Sequence, residues 1–253
     1  MLSISDVDFY RANGYLHLKG VFGPGDVAAM RTAADCVIVR AIEAKQNPSF
    51  LWQGRFLSEE ERSRLDITGV HDAQFHDAVF SRMLLNEALL SSIAALIGPN
   101  IQLHHTKLVV KPPERGAPFP MHQDYPYFPH ERHTMLAASI HLDDTNVGNG
   151  CLRVVPGSHL AGPLELDSSG LFLRPEDYPV DDQLPCPASA GDVIVFNYLT
   201  IHGSGLNTSS GPRRNWLIQM RDPTDHPTMD VHVSRGQGMM LRGLNPEYIP
   251  TWA

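Results

Sequence analysis

The sequence predicts a mainly β fold with some helix: an antiparallel double-sheet jelly roll with N-terminal helices packed outside the sheet. Short runs of strand length recur at residues 101–111, 135–142, 151–155 and 193–196, separated by turn residues. Helical patterning is confined to residues 3–97, ahead of most of these runs. No internal repeat, linker or low-complexity tract divides the 253 residues, so 1–253 reads as one domain.

Taken in order, residues 3–13 form a short helix capped by Ser3 or Ser5 and stopped by Gly14. Residues 15–20 alternate and suit a first strand. After a turn at Gly23-Pro24-Gly25, Asp26 caps a longer helix over 27–45, with Val27, Met30, Ala33, Val37 and Ile42 near one face. Residues 47–69 are irregular and charged, and Trp52 and Phe56 there read as core plugs ahead of pocket walls. A helical stretch over 73–97 breaks near Asn86 and ends at Gly98-Pro99. The clearest strand is 101–111, stopped by Pro112-Pro113; its neighbours His104 and His105 are expected on opposite faces.

The loop 112–121 leads to Pro120-Met121-His122-Gln123-Asp124-Tyr125. Residues 125–133 are too proline-broken for a strand and read as a lid in preference to a plain crossover. A strand at 135–142 and a returning strand at 151–155 flank Asn149-Gly150, a hairpin signal. Residues 161–185 read as a long surface insertion, and Gly191-Asp192 opens the buried strand 193–196. The tail 222–253 is polar, with His226 and His232 expected at the surface.

Composition narrows the function. Hydrophobic residues at 42% suffice for a substantial core, while a net charge of -8 argues against a nucleic-acid partner. Three cysteines make an odd count without framework spacing, which points to a reducing cytoplasm; Cys151 and Cys186 read as packed thiols. No run approaches a membrane span and no leader pattern opens the chain, so no membrane partner is expected. Nothing in the sequence speaks to oligomeric state.

His122 and Asp124 flank one residue, so an extended backbone would send both side chains from one face. His202 is the best third ligand, with His159 its rival. Two neutral imidazoles and a carboxylate are the facial ligand set of non-haem Fe(II) oxygenases. Among thirteen histidines, a His-x-Asp triplet is weak evidence alone, since a surface His beside a turn Asp is the common alternative. Arg213, eleven residues after His202, adds weight. If the chain turns after His202 and returns as a neighbouring strand, Arg213 faces the same cavity, where a buried guanidinium needs an anionic partner.

His122-Gln123-Asp124, Tyr127-Phe128-Pro129, Asn149-Gly150-Cys151-Leu152, Pro156-Gly157-Ser158-His159, Gly191-Asp192, and His202-Gly203-Ser204 with Asn207 and Arg213 occur in this order. Together they resemble the phytanoyl-CoA dioxygenase family of Fe(II)- and 2-oxoglutarate-dependent oxygenases, over residues 4–220. The resemblance implies a double-stranded β-helix of cupin-like form. It implies that His122, Asp124 and His202 bind Fe(II) as the catalytic centre, that His159 is structural, and that Arg213, Ser204 and Lys107 hold 2-oxoglutarate. Lys107 is preferred to Lys111 because the family has a co-substrate contact at that position.

Tyr125, Tyr127, Phe128 and Ser139 are candidate substrate contacts. Ser139 stands where the family often has a tryptophan, which implies a wider pocket. Halogenating relatives lack the metal carboxylate; Asp124 is present, so the expected reaction is O2-dependent hydroxylation, or desaturation or ring closure, of a small specialised metabolite. Two other classes stay open at this point: a cupin-type metalloenzyme without 2-oxoglutarate, and a catalytically silent jelly-roll binding protein.

Overall fold

Helix α1 (Ile4–Asn13) is fixed at both ends by its own sequence. Ser3 Oγ accepts from the Asp6 backbone N–H while the Asp6 carboxylate accepts from the Ser3 N–H, a reciprocal cap. Gly14 ends the helix at φ 77° and leads directly into strand β1 (Tyr15–Leu18). In the computed structural model the described residues are 2–44, 60, 68–167, 170, 172–229 and 231–249. Trp52 and Phe56 lie outside them.

Helix α2 (Pro24–Glu43) starts earlier than expected: Gly23 is the N-cap, Pro24 takes the first turn, and Asp26 accepts from the Gly23 N–H. Its buried face is Val27, Met30, Ala33, Ala34 and Val37. Ile42, expected on that face, is 59% exposed. The helical repeat carries the stripe from Val37 to the partly buried Ala41, and the next residue turns away by about 100°. Helices α3 (Ala78–Met83) and α4 (Glu87–Ile97) are capped by Asp77 and Asn86, where the expected break falls.

Two antiparallel sheets follow, as the jelly-roll expectation requires. The larger carries β1, β8 (Val193–Asn197), β5 (Leu136–His141), β10 (Arg213–Arg221), β3 (Ile101–Lys111) and β11 (Met240–Arg242) in that order. Strand β2 (Thr68–His71) joins the other half of the β3 edge. The smaller sheet has the order β4 (Phe119–His122), β9 (His202–Ser204), β6 (Leu152–Val154), β7 (Leu184–Cys186).

Strand alternation divides the large sheet into two faces. Leu108, Ile140, Val193, Val195, Trp216 and Ile218 pack against the helices, with Phe80 and Trp216 ring centroids 4.9 Å apart. The intervening residues face the small sheet, where Ala137, Ile194, Phe196, Val154 and Cys186 form a second apolar cluster. Cys151 and Cys186 are buried free thiols, as expected.

Three local expectations change. Asn149-Gly150 does not join a hairpin, because β5 belongs to the large sheet and β6 to the small one. The chain crosses between them through a short turn (Val147–Asn149) in which Asn146 and Asn149 cap each other. Second, His104 and His105 do not face opposite sides. The β3/β10 register pairs Gln219 with His105 and Met220 with Leu103, so His104 is an extra, bulged residue. Both rings turn the same way, and their Nδ1 atoms are 2.7 Å apart. Third, the described part of 161–185 is tied down: Leu164, Leu166, Leu173, Tyr178 and Val180 pack around Met121 and Ile201, and Leu173 N–H donates to Met121 O. It covers the strands that carry His122 and His202. No helix among the described residues is long and apolar enough to cross a membrane.

His104 and His141 are buried in the large sheet, and burial pushes each down to about 3 from the ordinary 6.5. The unfolded chain therefore takes up protons first as pH falls. Stability from these neutral rings is complete above 6.5 and is lost as pH drops from there toward about 3. The unfolding midpoint in urea should fall before carboxylates begin to titrate; a midpoint flat across that window would refute the neutral burial of these rings.

Candidate metal centre and co-substrate pocket

The centre is built on one register pair. His122 ends β4, His202 begins β9, and the two are direct partners across the antiparallel ladder. Their ring centroids are 4.2 Å apart. Each ring is fixed by the carbonyl two residues before it: His122 Nδ1 donates to Pro120 O at 2.8 Å and His202 Nδ1 to Thr200 O at 2.9 Å. The Nε2 atoms are thereby left as lone-pair donors. Burial first, and then the neighbouring His202, hold His122 well below the ordinary imidazole range, so it is neutral and competent to bind a metal.

Asp124 arrives differently from the extended geometry expected. At φ -76°, ψ -22° it has left the strand and caps a short turn (Tyr125–Tyr127), its N–H donating to Tyr198 O. That turn swings its carboxylate back over the two rings. Asp124 Oδ1 lies 3.7 Å from His122 Nε2 and 3.8 Å from His202 Nε2. Asp124 Oδ2 accepts from Gln219 Nε2 at 2.7 Å, which leaves Oδ1 to face the imidazoles. All three ligand atoms lie within 4.8 Å of one another. Two imidazole nitrogens and one carboxylate oxygen on one side suit Fe(II) with open positions opposite.

The site opens into a cavity of about 340 Å³ between the sheets. Its large-sheet wall follows the strand alternation: Arg213, Asn215, Leu217 and Gln219 on β10, opposite Lys111, Val109, Lys107 and His105 on β3. Arg213 did not arrive as a neighbour of β9; β10 pairs with β3 and β5 in the other sheet. It reaches the same cavity from across the sandwich.

One end of this wall is cationic and only half satisfied. Arg213 is 5% exposed; its Nη2 donates to Gly150 O at 2.6 Å, while Nε has no partner. No carboxylate forms an ion pair with it among the described residues, and burial pushes it down to about 10. Lys111, its register partner, is 1% exposed, donates to Gly205 O, and is held well below the usual lysine range by burial, then by Arg213. Asn215 Oδ1 and both ring nitrogens of His141 are buried nearby without partners. Buried polar groups are normally paired, so these orphans mark where a polar, anionic ligand belongs.

The other expected residues divide. Ser204 lines the cavity two residues after His202. Lys107 also lines it, but its register partner is Leu217, so it lies toward Asp124 and away from Arg213; burial pushes it down to about 8, with Asp124 opposing. Lys111, the less favoured lysine in the sequence, is the one beside Arg213. Tyr127, Phe128 and Ser139 line the cavity, and the Ser139 hydroxyl accepts from Asn215 Nδ2. Tyr125 does not; it packs against His133 and Tyr198. Residues 125–133 cover one side of the cavity through Tyr127 and Phe128 and are packed in place, with Phe128 clamped by Met135, Tyr198 and Leu199 and His130 buried. His159 bonds Arg11 O, outside the cavity. His226 pairs with Glu247 at the surface, and His232 is likewise partly exposed, but its ring also lines the cavity, 4.3 Å from that of His105. Asn215, Gln219, His141 and His71 were missed; for Asn215 and Gln219, counting by two from Arg213 would have found them.

The family model for phytanoyl-CoA dioxygenase (PhyH) matches residues 10–215. The chain belongs to the phytanoyl-CoA dioxygenase family. Within that family it is 28% identical over 239 residues to the peroxisomal phytanoyl-CoA dioxygenase of Bos taurus, covering 89% of this chain and 70% of that protein. It is 29% identical over 241 residues to the ectoine dioxygenase of Bordetella parapertussis, covering 85% and 73%. The structure of the non-heme alpha ketoglutarate dependent carbocyclase SnoK from nogalamycin biosynthesis superposes with a TM-score of 0.72 at 25% identity, covering 94% of this chain and 93% of that one.

Gln219→Ala should remove the hydrogen bond that aims Asp124. Iron affinity is expected to drop about 10- to 100-fold, as when outer partners of metal ligands are lost. Anaerobic Fe(II) titration measures it, and an unaltered isotherm would show that Asp124 needs no such support.

Proposed function

We propose that this family member hydroxylates an unactivated C–H bond of a small specialised metabolite, with His122, Asp124 and His202 holding Fe(II) and Arg213 holding 2-oxoglutarate. One observation carries the reading: a buried arginine without a carboxylate partner shares a cavity with two buried imidazoles and one carboxylate. Fe(II), with 2-oxoglutarate and O2, supplies the oxidation that converts R–H to R–OH while 2-oxoglutarate leaves as succinate and CO2.

The chain's own residues set the geometry. His122 and His202 present Nε2 because their Nδ1 protons are committed to backbone carbonyls. Asp124 contributes the anionic ligand and partly neutralises the dication, held by Gln219. Arg213 takes the distal carboxylate of 2-oxoglutarate through its free Nε edge, with Lys111 beside it and Ser204 lining the same space. This polar end speaks against a metalloenzyme that makes no use of an anionic co-substrate. Phe119, Tyr127 and Phe128 line the cavity near the ligands and exclude water. The Asp124 carboxylate fills the position that a halide would need, which favours hydroxylation or a related C–H oxidation over halogenation. At about 340 Å³ the cavity suits a compact substrate beside the co-substrate. Three free cysteines are consistent with a cytoplasmic protein.

Arg213→Ala deletes a charged hydrogen bond of about 1.5–3 kcal/mol. The KM for 2-oxoglutarate should rise at least about tenfold at unchanged iron content. Equal KM values for the variant and the parent protein would move the anchor to Lys111. Asp124→Asn keeps shape and removes charge. Succinate release should be abolished and iron held more weakly, with the circular dichroism spectrum unchanged. Wild-type turnover by that variant would eliminate Asp124 as a required ligand.

A further inference from the structure

A second group of histidines faces the same cavity and is used by none of the chemistry above. His71 ends β2, His105 lies on β3 beside the bulge, and His232 comes from the segment before β11. One ring nitrogen from each lies within 4.8 Å of the other two. Their ring centroids are 5.9 Å (His71–His105), 4.3 Å (His105–His232) and 5.2 Å (His71–His232) apart. All three residues line the cavity, and none belongs to the His122, Asp124 and His202 set.

We propose that His71, His105 and His232 form a second metal site, an all-imidazole one that takes a borderline divalent ion of the zinc type. Its place at the substrate end of the cavity, away from Arg213, rests on the oxygenase reading; its ligand set does not.

The construction supports it. The bulge turns His104 and His105 to one side and joins their Nδ1 atoms at 2.7 Å, which orients the His105 ring; in the tautomer with His105 Nδ1 as the donor, its Nε2 is left with a lone pair for an ion. His232 has φ 53° and Asp72, next to His71, has φ 55°, left-handed conformations that a non-glycine residue adopts at a cost. Those two points are tied together: the Ser234 hydroxyl donates to Asp72 Oδ1 at 2.7 Å, and Gln74 Nε2 donates to the same oxygen. Three segments far apart in sequence are thus braced to bring three imidazoles together.

Burial first, then Lys107, pushes His71 down to about 4, and His105 and His232 also lie below the ordinary range. The rings are therefore neutral ligands. A four-coordinate zinc with three Zn–N bonds of about 2.0–2.1 Å needs nitrogens about 3.3 Å apart, which small ring rotations provide. Soft or borderline ions suit imidazole, whereas magnesium and calcium prefer oxygen. Lys107 is the cation near the group, and Asp72 and Asp124 are the carboxylates that offset it. The fourth position opens to the cavity. A carboxylate or phosphate oxygen of the substrate would fill it, beside Lys107, and so be held away from the Arg213 end.

The test counts metal ions on the untagged full-length chain, stripped with chelator and titrated with Zn(II) and with Co(II) without air. The wild type should bind two equivalents. His122→Ala/His202→Ala should bind one, with the intense visible absorption of four-coordinate Co(II), and His71→Ala/His232→Ala should also bind one. Combining all four substitutions should leave none. On the His122→Ala/His202→Ala background, His232→Ala alone should weaken the remaining site at least tenfold, which keeps the test independent of any misfolding by the paired variant. The proposal is overturned if His122→Ala/His202→Ala binds no metal, or if His232→Ala on that background binds as tightly as before. Failure of the oxygenase reading would show separately, as absence of 2-oxoglutarate turnover with the metal count intact.

Discussion

A 2.7 Å hydrogen bond from Gln219 Nε2 to Asp124 Oδ2 ties the Asp124 carboxylate to the large sheet, and Lys107 on β3 lies close enough to attract it as well. His122 and His202 are placed by backbone pairing within the small sheet, and Asp124 hangs from the turn that follows. Without a partner on β10, that carboxylate would be set by its own two side-chain torsions on a turn beyond the strand. With it, the ligand geometry is referred to the wall that carries Arg213. The proposed metal and co-substrate sites are thereby held in one frame although they sit on different sheets.

That frame explains why the cavity tolerates so much polar material. Arg213, Lys111, Asn215 and His141 are all buried, and several of their polar atoms have no partner. Such groups oppose folding by an estimated 1–3 kcal/mol each when left unpaired. The helix-facing side of the same strands, with Trp216, Ile218, Leu108 and Ile140 packed on Phe80 and Met30, provides the offsetting apolar burial. A site that violates burial rules on one face of a sheet is supported by a conventional core on the other.

Much of this could be read from the sequence where the determining interactions are local. Ser3, Asp6 and Gly14 cap α1 among themselves, Pro112 stops β3, and His122 and Asp124 are two residues apart. The errors share a cause, which is dependence on a distant partner. Asn149-Gly150 has hairpin chemistry, yet which sheet receives the next strand is decided by β9, some fifty residues on. His104 looks like an ordinary outward residue until β10 supplies one residue against two. Lys107 and Lys111 share one strand face, and only pairing with β10 shows which of them meets Arg213. His232 sits in a polar tail whose composition gives no hint that it folds back over β3.

The alternation along β3 and β10 carries a consequence for how the protein can vary. Odd-numbered positions from 213 to 219 face the cavity and 216, 218 and 220 face the helices, so one strand pair writes two surfaces at once. Exchanging side chains on either surface leaves the other untouched. Deleting or inserting one residue between 213 and 219 would trade the two, sending Arg213 and Asn215 among the helices and Trp216 into the cavity. Diversification of substrate preference along this wall is therefore open to substitution and closed to changes of length, which must be absorbed in the loops that connect the sheets.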